Sequence, residues 1–174
     1  CVACRAGTYA DANATACVDC PAGTYSDNNV TGVTACTLCD RHGLHRATSP
    51  ADGTAVNVSA CQCAAGYFGL AASNQESSIN CTACGAGKFR AEAGATVEGD
   101  CKDCGAGKFA DTAATTECTE CEAGKYNGQT SGNYQTDSCL SCSTASPTFA
   151  SSVTGAVAVS ECFCKPGYYH SSNE

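Results

Sequence analysis

The sequence predicts small disulfide-rich repeats: an elongated rod of stacked, hairpin-like modules with short β-strands, little helix and no single hydrophobic core. Three observations lead there. Cysteine supplies 18 of 174 residues, a fraction typical of disulfide scaffolds. Val, Ile, Leu and Phe together number 20, with no Met and no Trp, too few large apolar side chains for one continuous core. The cysteines also come in close pairs that repeat along the whole chain. A compact barrel, a doubly wound sheet and a helix bundle are therefore excluded. No run of about 18 apolar residues exists, so no membrane span is expected. A formal charge of −8 argues against nucleic acid as a partner.

The pairs are Cys1/Cys4, Cys17/Cys20, Cys36/Cys39, Cys61/Cys63, Cys81/Cys84, Cys101/Cys104, Cys118/Cys121, Cys139/Cys142 and Cys162/Cys164. After seven of the nine, a glycine follows three residues past the second cysteine and an aromatic two further on. The phrases read CRAGTY, CPAGTY, CAAGYF, CGAGKF, CGAGKF, CEAGKY and CKPGYY. Glycine permits a positive φ, so the chain can turn sharply beside the cysteine. The aromatic then occupies a short strand position from which it can cover a disulfide. Asp and Asn follow, at Asp11, Asn13, Asp27, Asn28 and Asp111, and favour a turn by bonding their own backbone. The chain then returns to the next pair. Gly and Cys interrupt every window before three helical turns form, so the alanine content does not signal helix.

A longer period lies above this one. The modules opening at Cys36 and Cys139 lack the glycine–aromatic phrase, have a longer loop and are each followed by a C-x-C pair. The offset between matching pairs is about 101 residues. Residues 1–80 form a partial first super-repeat of four cysteine-pair modules, and residues 81–174 a second of five. The chain reads as a slice of a longer array, expected to resume with another pair near residue 182.

The natural pairing joins the second cysteine of one pair to the first of the next. It gives Cys4–Cys17, Cys20–Cys36, Cys39–Cys61, Cys63–Cys81, Cys84–Cys101, Cys104–Cys118, Cys121–Cys139 and Cys142–Cys162. Cys1 and Cys164 are left for partners outside the slice. The rival is a bond within each C-x-x-C, which closes a tiny ring and suits redox catalysts that use a single such pair. A loop of ~15 residues closed by a disulfide gives ~3 kcal/mol in the chain-entropy model.

The pattern C-x-x-G-x-aromatic-(turn)-C-x-x-C resembles the first submodule of tumour-necrosis-factor-receptor cysteine-rich domains. It is also similar to the ephrin-receptor-like cysteine-rich repeat, most closely at CPAGTYSDNNVTGVTACTLC, Cys20 to Cys39. Long arrays of such pairs look like protist surface-coat antigens and flagellar-hair glycoproteins. The resemblance implies stacked, disulfide-closed modules and supports the pairing above. It treats the motif residues as scaffold and carries over no ligand.

Four N-x-S/T sequons, at Asn13, Asn29, Asn57 and Asn80, are candidate N-glycan acceptors in a chain whose cysteines indicate the secretory route. Asn13, Asn29 and Asn57 are expected at exposed loop tips. Cys1-x2-Cys4 … Cys17-x2-Cys20 has a spacing that zinc can use. An unbroken acidic array in an oxidising compartment favours disulfides instead, and no metal or cofactor is expected. His42, His45 and His170 read as polar loop residues. Asp11, Asp27 and Asp111 could bind Ca²⁺ between modules, but turn chemistry accounts for them. The GAGKF phrases lack the six-residue spacing of a phosphate loop. No acid–base constellation is evident, so an enzyme is not expected. The reading is an extracellular structural glycoprotein, a rod in a cell-surface coat, appendage or filament, whose partners are neighbouring repeats or copies of itself. The alternative is the ectodomain of a receptor or adhesion protein that binds a protein ligand.

Overall fold

The computed structural model describes residues 1–13, 15–27, 32–40, 47–50, 54–70, 79–130 and 138–169. They form eight two-stranded antiparallel hairpins. In chain order these pair β1 (Thr8–Ala10) with β2 (Cys17–Asp19), β3 (Thr24–Tyr25) with β4 (Thr37–Leu38), and β5 (Ala47–Thr48) with β6 (Gln62–Cys63). Next come β7 (Tyr67–Phe68) with β8 (Thr82–Ala83), β9 (Lys88–Phe89) with β10 (Lys102–Asp103), and β11 (Lys108–Phe109) with β12 (Thr119–Glu120). The last are β13 (Lys125–Tyr126) with β14 (Leu140–Ser141), and β15 (Phe149–Ser152) with β16 (Cys162–Cys164). Among the described residues one turn, Cys142–Ala145, is α-helical, and 3₁₀ turns precede cysteine pairs at Val58–Ala60, Glu98–Asp100 and Val159–Glu161.

The repeated phrase explains the hairpins. In each of the seven phrases the residue after the glycine donates its N–H three residues back, as Thr8 does to Arg5 (3.1 Å) and Tyr168 to Lys165 (3.0 Å). The intervening glycines, Gly7, Gly23, Gly66, Gly87, Gly107, Gly124 and Gly167, have φ between +74° and +91°. A four-residue turn with positive φ at its third residue alone is a type II turn, which demands glycine there and favours proline before it, as in Pro166-Gly167. The turn aims the aromatic strand back along the chain. Its partner is the dipeptide inside the next C-x-x-C, where Thr37–Leu38, Thr82–Ala83, Lys102–Asp103, Thr119–Glu120 and Leu140–Ser141 are the return strands. The second cysteine of that pair then donates to the carbonyl of the turn glycine: Cys20 to Gly7, Cys39 to Gly23, Cys104 to Gly87, Cys121 to Gly107 and Cys142 to Gly124, all at 2.8–2.9 Å. One glycine thus sets the turn and closes the hairpin.

The chain divides into two compact units, Cys1–Ala83 with Glu92–Asp100, and Cys84–Ala91 with Cys101–Glu174. The first contains a small apolar cluster of Tyr25, Cys39, Ala55, Cys61, Cys63, Ile79 and Cys81, flanked by Val58, Ala60 and Tyr67. The second contains a cluster of Phe109, Cys121 and Cys139. Thirteen of the 20 buried apolar residues described are cysteines, so the cross-links are themselves most of the interior. Among the described residues no helix is long and apolar enough to cross a membrane.

Candidate functional site

Eight disulfides close the modules: Cys4–Cys17, Cys20–Cys36, Cys39–Cys61, Cys63–Cys81, Cys84–Cys101, Cys104–Cys118, Cys121–Cys139 and Cys142–Cys162. Their Cα–Cα distances of 5.5–5.8 Å fall in the usual range for a disulfide. Cys1 and Cys164 are unbonded.

Within each unit, successive modules are joined by two recurring backbone contacts. In the first, a turn glycine donates its N–H to the residue that follows the aromatic of the next module. Gly7 bonds Ser26 (3.2 Å), Gly87 bonds Ala110 (2.7 Å) and Gly107 bonds Asn127 (2.8 Å). In the second, a residue with left-handed backbone donates to the buried second cysteine of the pair that opens the preceding module. Gly94 bonds Cys63 (2.8 Å), Ala114 bonds Cys84 (2.9 Å) and Gly155 bonds Cys121 (2.8 Å). Edge amides that would otherwise need water are thereby satisfied by the neighbour.

Ala114 is the exception in that second set. It holds φ +62° where the matching residues are glycines at +88° and +73°. An L-residue there costs about 1–2 kcal/mol, partly offset because glycine loses more entropy on folding. Ala114→Gly should therefore raise stability by about 0.5–1 kcal/mol. A urea midpoint that stays put or falls would contradict this.

Lysines of the GAGK and EAGK phrases lie on hairpin faces and pair with acids. Lys88 meets Asp103 at 2.9 Å and Lys108 meets Glu120 at 3.4 Å, each directly across the strands. Where the cross-strand partner is Ser141, Lys125 turns to Glu122 at 3.3 Å instead. Exposed pairs of this kind contribute roughly 0.2–1 kcal/mol each.

Asp11 tightens the first loop. Its carboxylate accepts from Thr15 N and Thr15 Oγ1, both at 2.7 Å, and from Ala16 N at 3.3 Å. The Thr15 hydroxyl and then the Thr15 and Ala16 amides hold its pKa below the ordinary aspartate value. The folded value being the lower one, its stabilisation is present above the unfolded pKa and lost as pH falls through the folded pKa. The Thr15 and Ala16 amide resonances should titrate with a midpoint below the ordinary aspartate value, and Asp11→Asn should abolish that titration. A midpoint at or above the ordinary value would show that the loop does not depend on the charge. Asp111 is exposed. Among the described residues no three His, Cys, Asp or Glu side chains gather as a metal site.

The sequons are placed differently from one another. Asn13 and Asn80 are exposed. Asn57 is half-buried, unlike the loop tip expected of it. Its Oδ1 accepts from the amide and hydroxyl of Ser59 and caps the 3₁₀ turn Val58–Ala60. The residue pattern of a sequon is also that of a cap, so the sequence could not separate the two roles. Asn29, His42, His45 and His170 lie outside the described residues.

The buried serines Ser49 and Ser152 were not singled out by sequence reasoning. Ser49 Oγ donates to the Thr24 carbonyl at 2.6 Å, and Ser152 Oγ to the Lys125 carbonyl at 2.7 Å. Both sit in the long modules that lack the glycine–aromatic phrase and bond the preceding hairpin. Asn127, also buried, donates from Nδ2 to the Lys108 carbonyl and accepts from Gln129 N. The near-constant offset of Ser49 and Ser152 was the available signal.

The fold and its joints define a class: a ladder of disulfide-closed cysteine-pair modules. Residues 7–61 match the family described as tyrosine-protein kinase ephrin type A/B receptor-like, so the resemblance to ephrin-receptor-like cysteine-rich repeats holds over that segment. Comparison with curated proteins yields no match. Eight disulfides and an ephrin-receptor-like segment point to an extracellular or secreted location.

Proposed function

We propose that the chain is an extracellular structural glycoprotein whose cysteine-pair modules build part of a cell-surface coat, appendage or filament. The observation that carries this reading is the recurring joint. Contacts from Gly7, Gly87 and Gly107, and from Gly94, Ala114 and Gly155, use the most constrained backbone positions to hold one module to the next. A ligand-binding array typically alters one module to make a site. Here the serine variation recurs in both long modules, at Ser49 and Ser152. Its partners are neighbouring modules or copies of itself, its modification is N-linked glycan, and it performs no catalysis. Electron microscopy of the native material tests the reading: filaments or a lattice are expected, and isolated monomers that bind a protein saturably would overturn it. That second outcome is the receptor or adhesion ectodomain, which the family match over residues 7–61 favours.

A further inference from the structure

Asn80 is exposed, yet the residues around it are held on every side. Ile79 is buried in the apolar cluster. Cys81 is 4% exposed and bonded to Cys63. Thr82 lies in β8, paired with Phe68. The Asn80 carbonyl packs against Gly69 so closely that a Cβ there would meet its oxygen at 2.2 Å. The middle residue of this Asn-Cys-Thr sequon is therefore a cross-link, and its third residue is a sheet residue.

We propose that Asn80 is an N-glycan acceptor whose occupancy is set by competition between glycan transfer and closure of the Cys63–Cys81 bond. This rests on the reading of the chain as a secreted glycoprotein. In the transfer, Asn80 Nδ2 attacks the anomeric carbon of a lipid-diphosphate-linked oligosaccharide. A C–N bond forms, the C–O bond to the diphosphate breaks, the amide gives up one proton and the lipid diphosphate leaves. The transferring enzyme must take the asparagine and the threonine two residues on into one site, on a segment free to bend. The closed module removes that freedom through the disulfide, the strand pairing and the packing on Gly69. Cys81 follows Asn80 directly, so both reactions become possible at the same moment of synthesis. Disulfide formation spans seconds to hours, slow enough for transfer to compete. Asn13 is the natural reference: it is exposed, and no cysteine lies inside its sequon.

The experiment expresses the whole chain in a eukaryotic secretory host and quantifies glycopeptides. Asn80 should be occupied in part, and less than Asn13. Cys63→Ser should raise the occupied fraction at Asn80 roughly twofold, because the competing closure is gone. A brief pulse of thiol reductant during synthesis of the unaltered chain should do the same. Cys142→Ser, which removes the distant Cys142–Cys162 bond, should leave Asn80 as it was. Unchanged Asn80 occupancy after both Cys63→Ser and the reductant pulse would overturn the competition. So would an equal rise in Cys142→Ser, which would mark general misfolding. Unmodified asparagine at every sequon, Asn13 included, would instead overturn the glycoprotein reading itself.

Discussion

Full reduction is expected to unfold this chain: its near-ultraviolet circular dichroism should disappear and its far-ultraviolet spectrum should become that of a coil. Tyr25, Ile79 and Phe109 are the large non-cysteine apolar side chains that the described interior buries. Each contributes about 1.5–3 kcal/mol by burial, far below the conformational entropy of a chain this long. The eight disulfides, with separations of 13 to 22 residues, supply the difference by restricting the unfolded chain. Each is worth about 2–4 kcal/mol in isolation. Reduction also deletes the interior itself, since most buried apolar residues are the bonded cysteines. A native near-ultraviolet signal that survives complete reduction would mean that the two small clusters fold the chain unaided.

Gly107→Ala should be far more damaging than the same change at Gly124, another of the turn glycines. Gly107 has φ +74°, which alone costs an L-residue about 1–2 kcal/mol. A Cβ at Gly107 would also lie 2.2 Å from the Gly155 carbonyl oxygen and 3.2 Å from Val157 Cγ1. The backbone there cannot yield cheaply. Gly107 donates to Asn127 and accepts from Cys121, while Gly155 donates to Cys121, so one shift breaks several bonds. Gly124 shares the conformation, at φ +88°, but a Cβ there would find its nearest neighbour 3.9 Å away. Gly124→Ala should therefore lose the conformational cost alone, and Gly107→Ala several-fold more. Urea midpoints and secreted yields of the two variants measure the difference, and equal losses would remove the packing explanation.

Much of the local architecture was legible in the residues. The glycine three positions past seven of the pairs, with an aromatic two further on, announces a turn followed by a strand, because a glycine recurring at one position marks a positive φ that other residues resist. The spacing of the pairs also placed a loop between each second cysteine and the next first one. The candidate site was less legible. Asn13 and Asn80 are exposed, but the role of Asn57 as a cap depends on where its chain segment turns. Ser49, Ser152 and Asn127 look like ordinary polar loop residues until their partners are known.

By itself, then, the sequence determined the module, its period and the class of fold, since these follow from short-range constraints: positive φ at glycine, strand preference at the aromatic, and too little apolar surface for a common core. Tertiary structure alone decided how one module grips the next. Gly107 meets Gly155 across 48 residues of chain, and Ala114 adopts a left-handed conformation because its N–H must reach the Cys84 carbonyl. Such contacts depend on where the stacked backbones come to lie, and no local preference of alanine or glycine encodes that position.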